Sequence, residues 1–337
     1  MPVTVALAGA DQSGKTTLFT AVTRGRGHDG VGMVDVPDER LYRLAGAVHP
    51  AKIVHAQMRI ADAPLGSRAQ RIASAREADV VVKVARCFGP DPDPVGELEG
   101  LEVDLALADL ATVERRLDLV EREVRVGRKE RAAELEALRA ARDHLDRGQG
   151  LRTLELDADR RAVLDPLFPV SAKPSVHVAN VGDDSLPDGG EPARRVCDLA
   201  RAQGGVGVVV CAQLEAELAE LEPEEAAELR ASYGLAEGSL GVLARAIWDA
   251  GGLITFLTAG EPEVRAWYCP KDSPAPVAAA AIHTDFEKHF IRAEVTSVDE
   301  LVRAGSMDAL RAAAALRIEG RDYRVQDGDV VFFRVGR

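Results

Sequence analysis

The sequence predicts an α/β protein: a parallel sheet interrupted by an antiparallel helical hairpin, with a small β-grasp type domain after it. Three observations lead there. Residues 3–9 form a Val-rich apolar run that breaks at Gly9 and passes through a glycine-containing loop into an unbroken helical stretch at 16–23. Further short apolar runs alternate with helical segments, the pattern of strands that pair in parallel. Residues 110–145 then change period, and the composition shifts near Gly251 and Gly252, where a domain boundary falls.

The first element carries the most chemistry. VTVALAGADQSGKTTLF, residues 3–19, contains G-x-x-x-x-G-K-[ST] between a strand and a helix. Glycine lets the backbone curl so that successive N–H groups surround phosphate oxygens, and the following helix turns its N-terminus to the anion. Gly9, Asp11, Gln12, Ser13, Gly14, Lys15, Thr16 and Thr17 are therefore candidate nucleotide contacts. Lys15 has the chemistry to hold the β- and γ-phosphates, and the Thr16 hydroxyl to bind Mg²⁺.

After a Gly-rich stretch at 24–32, Asp38 or the Val36-Pro37 pair starts a short helix on Leu41, Leu44 and Ala45. Residues 55–63 and 80–88 are the next strands. The second, VVVKVARCF, is so apolar that it fits the centre of a sheet covered on both faces. Residues 175–181 and 206–211 supply two more. Between them Leu110, Val113, Leu117, Val120 and Val124 are spaced 3-4-3-4, and Leu135, Leu138, Ala141 and Leu145 continue after a break at Gly127. This narrow stripe is that of a two-stranded coiled coil projecting as an insertion; an ordinary helix pair lying on the sheet is the alternative. Strand-like runs at 253–258, 263–269, 291–297 and 330–335, with helices near 276–283 and 307–316, make the last domain. The expected boundaries are 1–103 with 166–250 for a nucleotide-binding domain, 104–165 for the hairpin and 253–337 for the final domain.

Composition narrows the partners. A net charge of −13 opposes indiscriminate binding to nucleic acid, so DNA is not expected and any RNA contact is local. From Leu253 onward 11 basic residues face 13 acidic ones, and that segment holds eight of the fourteen aromatic residues, so Lys288, Arg292 and Arg321 are either RNA phosphate contacts or solvated positions. No apolar run reaches the ~18–20 residues of a membrane span. Cys87, Cys197, Cys211 and Cys269 form no C-x-x-C, which argues against disulfides or a zinc site and fits a reducing cytoplasm.

Taken in one order, the phosphate loop, VPDERL, ADVVVKVARCF, LALADL, KPSVHVANV, EVRAW and IHTDFEKHFIRAEV resemble the YchF/Obg-like ATPase family of P-loop NTPases, nearly end to end. The resemblance implies a GTPase-like domain with an inserted coiled-coil hairpin, a carboxy-terminal TGS-type domain, Mg²⁺ with ATP or GTP, and association with the ribosome or RNA. It implies that Asp62 holds Mg²⁺ through water.

The departures from the family pattern bear on hydrolysis. Residues 20–34 are too short for the family's first switch, so no switch Thr can be assigned. The family's second switch opens with D-x-A-G, whereas this chain reads Asp62-Ala63-Pro64-Leu65-Gly66, with Leu65 where a glycine N–H contacts the γ-phosphate. The family loop after RCF carries a His implicated in hydrolysis, and GPDPDPVGE has none. Base choice stays open at Asn180, Val181 and Asp183: Asp accepts from both N1–H and the 2-amino group of guanine, while the family's Glu at that place favours adenine. Cys211 and Ala212 are placed to offer a backbone N–H to the purine. Two functions follow: a slow ATPase or GTPase working with the ribosome, and a non-hydrolysing nucleotide-holding scaffold acting through its hairpin and TGS domain. An RNA- or ribosome-binding protein with an empty loop is a third, disfavoured by Lys15 and Thr16.

Overall fold

The computed structural model describes residues 2–62 and 68–336. Among them the strands run in chain order as β1 Val3–Gly9, β2 Val31–Asp35, β3 Ile53–Val54, β4 Gln57–Asp62, β5 Val80–Cys87, β6 Ser175–Val181, β7 Val206–Val210, β8 Leu253–Ala259, β9 Val264–Pro270, β10 Phe290–Ser297, β11 Arg317–Glu319 and β12 Asp329–Val335. The helices used below are α1 Lys15–Thr23, α2 Glu39–Val48, α3 Arg68–Glu77, α4 Pro94–Arg125 and α5 Ala132–Leu145. The chain divides into two compact units, Met1–Val34 with Arg59–Ala250 and Asp35–Met58 with Gly251–Arg337. Segment 35–58, read from sequence as part of the nucleotide-binding domain, thus groups with the C-terminal unit.

The first unit is built on a sheet of order β2-β4-β1-β5-β6-β7. β1, β5, β6 and β7 pair in parallel. β5 is buried along most of its length, as its largely apolar run requires. The hairpin follows from two stripes: Val113, Leu117 and Val120 of α4 pack with Leu138, Ala141 and Leu145 of α5. Its first arm starts earlier than the expected residue 104. Asp93 caps α4 by accepting the Gly96 N–H at 3.2 Å, and Pro94 sits in the first turn, where a missing N–H is no loss. Leu98 and Leu105 join the clusters under the sheet. The same helix therefore covers the sheet and then leaves it.

Polar residues pin the hairpin's root. Asp109, almost fully buried, accepts the backbone N–H groups of Val170 at 3.0 Å and Ser171 at 2.7 Å where the chain returns to the sheet. Glu102 lies against Lys83 of β5 and accepts Arg152 Nη2 at 2.9 Å. Beside Lys83 in the sheet register sits His177 of β6, also fully buried. Lys83 is the fully buried charge of this strand, and burial holds its ammonium well below the ordinary lysine value.

The second unit is a mixed sheet of order β11-β10-β12-β8-β9-β3. β8 and β9 form an antiparallel hairpin, β10 and β12 pair antiparallel, and β12 runs parallel to β8 at Val330–Leu257. This is the expected β-grasp arrangement. Phe256, Val295, Val331 and Phe333 make its core with Ala275, Ala278 and Ala279 of the crossing helix Ala275–Ile282. α2, capped by Asp38 through the Arg40 N–H at 3.0 Å, belongs here, and Arg40 Nη1 reaches Asp327 at 2.6 Å. β3 adds to the β9 edge at Ile53–Val264. Strands β2, β3 and β11 escaped the sequence reading because they are short or sit beside glycine. The last helix stops at Ala312, before a left-handed Ala314.

Burial pushes the His177 imidazole down to about 3, helped by the charges of Lys83 and Arg152. An ordinary histidine titrates near 6.5 in the unfolded chain. Between those values the unfolded state binds the extra proton, so the His177 contribution falls as pH drops below 6.5, by up to about 1.4 kcal/mol per unit. Urea unfolding across pH 4–8 is expected to show this loss, and His177→Gln to flatten it.

Candidate functional site

The loop after β1 is shaped by backbone conformations that side chains disfavour. Gln12 is left-handed at φ 63°, and Gly14, at φ 89°, is the N-cap of α1. A Cβ on Gly14 would overlap the side-chain amide of Asn180. That amide lies behind the loop: Asn180 Nδ2 donates to Ser13 O at 2.9 Å, and Asn180 Oδ1 accepts the Ala212 N–H at 3.0 Å. Asn180 is only 4% exposed, at the end of β6. The N-terminus of α1 is thereby fixed, with the first-turn N–H groups free of intrahelical partners.

Lys15 is 8% exposed, and its Nζ donates to Gly9 O at 3.2 Å and Ala10 O at 2.5 Å. Burial lowers its pKa; Asp62 and Asp11 oppose that shift and Arg71 reinforces it. Thr16 Oγ1 donates to Asp62 Oδ2 at 3.1 Å across the gap between α1 and β4. Burial raises the Asp62 carboxyl above its ordinary value, against the Thr16 hydrogen bond and the Lys15 charge. Asp62 Oδ1 is buried with no hydrogen-bond partner among the described residues. Two hard oxygens, one of them unsatisfied, suit a small divalent cation that keeps most of its waters. Thr16 and Asp62 are the residues that could hold Mg²⁺.

Other sequence candidates fall into place unevenly. Thr17 is exposed on the first turn of α1, and Ser13 is fully buried with its Oγ unpartnered among the described residues. Val181 and Cys211 point into the apolar core beneath the site, so only their backbones face outward chemistry. The Ala212 N–H, read from sequence as a donor to a purine, is given to Asn180 instead. Asp183 is exposed at the end of β6, where its Oδ1 accepts the Asp184 N–H at 3.0 Å and its Oδ2 the Tyr233 hydroxyl at 3.4 Å. Ala63, Pro64, Leu65 and Gly66 lie outside the described residues. Sequence reasoning passed over Tyr233, Arg71 and Glu97. Arg71 Nη1 lies 3.3 Å from Asp11 Oδ1. Glu97 accepts the Arg86 backbone N–H at 3.1 Å, and its only signal in the sequence is a carboxylate in the first turn of a capped helix.

Comparison with known proteins decides the family. The YchF-GTPase_C model, described as a protein of unknown function (DUF933), matches residues 253–336. The ribosome-binding ATPase YchF of Bacillus subtilis is 33% identical over 365 aligned positions, covering 99% of each chain. The chain belongs to the YchF family. The protein of the same name from Haemophilus ducreyi is 36% identical over 355 positions, covering 97% of this chain and 98% of that one. The structure of the Schizosaccharomyces pombe YchF GTPase superposes with a TM-score of 0.87 over 98% of this chain and 97% of its own, at 24% identity, and so shares the fold. The 365 positions aligned with the B. subtilis protein exceed the 337 residues of this YchF-family chain, so that relative carries segments missing here. The connection from β5 to α4 is short: Asp93 caps α4 six residues after β5 ends.

The Asn180 brace sets a testable cost. Asn180→Ala leaves a buried donor and a buried acceptor unpaired, and the expected loss is of the order of 2–3 kcal/mol of unfolding free energy. Denaturant titration of the ligand-free chain measures it.

Proposed function

We propose that this YchF-family chain is a slow ATPase or GTPase that binds a purine nucleotide with Mg²⁺ and works with the ribosome in the cytoplasm. The observation that carries the reading is the convergence of Lys15, Thr16 and Asp62 on one glycine-shaped loop, with an Asp62 Oδ1 that has no partner among the described residues. Lys15, held by two loop carbonyls, exchanges them for the β- and γ-phosphates. The α1 N–H groups add to the phosphate contacts. Thr16 and Asp62 hold Mg²⁺, which when bound neutralises charge on the phosphates. Asn180 keeps the loop in shape from behind, and Asp183 faces the base. The YchF proteins of B. subtilis and H. ducreyi are named ribosome-binding ATPases, which supports the ribosome as partner. Among the described residues no helix is long and apolar enough to cross a membrane. The regions we assign are 1–34, 59–103 and 166–250 for the nucleotide and 104–165 for the hairpin, with 253–337 as the TGS-like domain, which segment 35–58 joins.

The second reading, a scaffold that holds nucleotide without hydrolysing it, is favoured by one feature. The segment between β5 and α4 has no histidine, and a capped helix start occupies its place. Single-turnover measurement with γ-labelled ATP, and separately GTP, under excess protein and Mg²⁺ decides between the two. Retention with phosphate release, both lost in Lys15→Ala, is the expected result. Retention without release, even with ribosomes added, establishes the scaffold; no retention of either nucleotide overturns both readings.

A further inference from the structure

We propose that Arg71 supplies, from within the same chain, the positive charge that stabilises the γ-phosphoryl group as it passes to water. This rests on the hydrolytic reading above. Arg71 lies in the first turn of α3, immediately after the segment that follows Asp62. Its guanidinium lies against Asp11, the second residue of the loop after Gly9, at 3.3 Å. The neighbouring residue, Ala10, carries the Lys15 ammonium on its carbonyl. The guanidinium, the Asp11 carboxylate and the ammonium therefore gather at one end of the loop.

The guanidinium is also weakly held. Its side chain is 39% exposed and that of Asp11 86% exposed, so the pair is a surface ion pair worth about 0–1 kcal/mol. Arg71 and Asp11 line a cavity of about 380 Å³ between the loop, α3 and α4, whose apolar floor includes Ile72 and Leu101. A γ-phosphate offers more negative charge and several acceptor oxygens, and planar guanidinium N–H pairs match such oxygens. Arg86 is the contrasting case. Its backbone N–H and its Nε are both engaged by Glu97, at 3.1 and 3.5 Å, so it is held in place.

In the reaction a water oxygen bonds to the γ-phosphorus as the bond to the β–γ bridging oxygen breaks. The bridging oxygen keeps the electron pair, and the water proton ends on the released phosphate. Arg71 forms no covalent bond; its N–H groups hold the oxygens on which charge grows. Asp11 is its resting partner and repels the same oxygens.

Single-turnover phosphate release and nucleotide retention, measured together on the full chain, test this. Arg71→Ala is expected to lower release by roughly 10²–10³-fold with retention changed less than about threefold, the signature of an interaction made only in the transition state. Arg71→Lys, which keeps the charge but not the planar fork, is expected to recover part of the loss. Asp11→Asn is expected to move the rate the other way, upward, because it frees the guanidinium and removes a repelling carboxylate. If Arg71→Ala and Asp11→Asn lower release equally, the pair is a structural clasp and the inference is wrong. Retention and release falling together in Arg71→Ala also overturns it. A wild-type chain that retains nucleotide and never releases phosphate overturns the inference and leaves nucleotide binding standing; absent retention removes the nucleotide reading itself.

Discussion

One side-chain amide holds the candidate site together. Asn180 at the end of β6 gives a proton to the Ser13 carbonyl and accepts one from the Ala212 N–H, so a single residue joins the loop after β1 to the connection after β7. An amide is suited to this because it offers a donor and an acceptor on one planar group. The close approach requires the absence of a side chain at Gly14. The placement of Lys15 and Thr16, the first two residues of α1, depends on this brace, and the Thr16 contact with Asp62 follows from it.

A second constraint works at the root of the hairpin. α4 first covers the sheet and then leaves it, and at that point apolar contacts give way to ionic ones. Glu102 meets Lys83 and Arg152, and Arg152 also donates to the carbonyls of Lys173 and Gln203 at 2.8 and 2.9 Å. Buried charges of this kind contribute little net stability, because desolvation offsets the attraction, yet removing one partner is costly. Their effect is on geometry: the hydrogen bonds of Arg152 and Asp109 admit one path for the returning chain. The arm beyond them is held by its own leucine core and is anchored at this one place on the sheet.

The two halves of the site differ in how completely they are built. The loop side is dense with polar contacts, from Lys15 to two carbonyls, from Thr16 to Asp62 and from Asn180 to Ser13. The side on which a γ-phosphate would be transferred is sparse: the β5–α4 connection is short and carries no histidine, and an exposed Arg71–Asp11 pair stands at the edge of a cavity. Membership of the YchF family explains the first half. In the second half the motif supplies no further charged side chain, and the nearest guanidinium, that of Arg71, comes from outside it.

Local signals were sufficient for a good part of the molecule. The loop motif reports backbone geometry that only glycine adopts easily, the apolar run of β5 reports burial on both faces, and the 3-4 spacing in α4 and α5 reports a helical seam. Each of these is a property of neighbouring residues, so the sequence by itself determined them. Other features depend on residues far apart in the chain. That segment 35–58 groups with the C-terminal unit follows from the β3 pairing with β9 and from Arg40 with Asp327, 287 residues away. That Asn180 is a brace, that Ala212 gives its N–H to it, and that Arg71 meets Asp11 were decided by the tertiary structure alone. The physical reason is the directionality of polar groups: a hydrogen bond or ion pair between distant residues leaves no periodicity behind, whereas burial of apolar surface imprints its pattern on every turn and every strand.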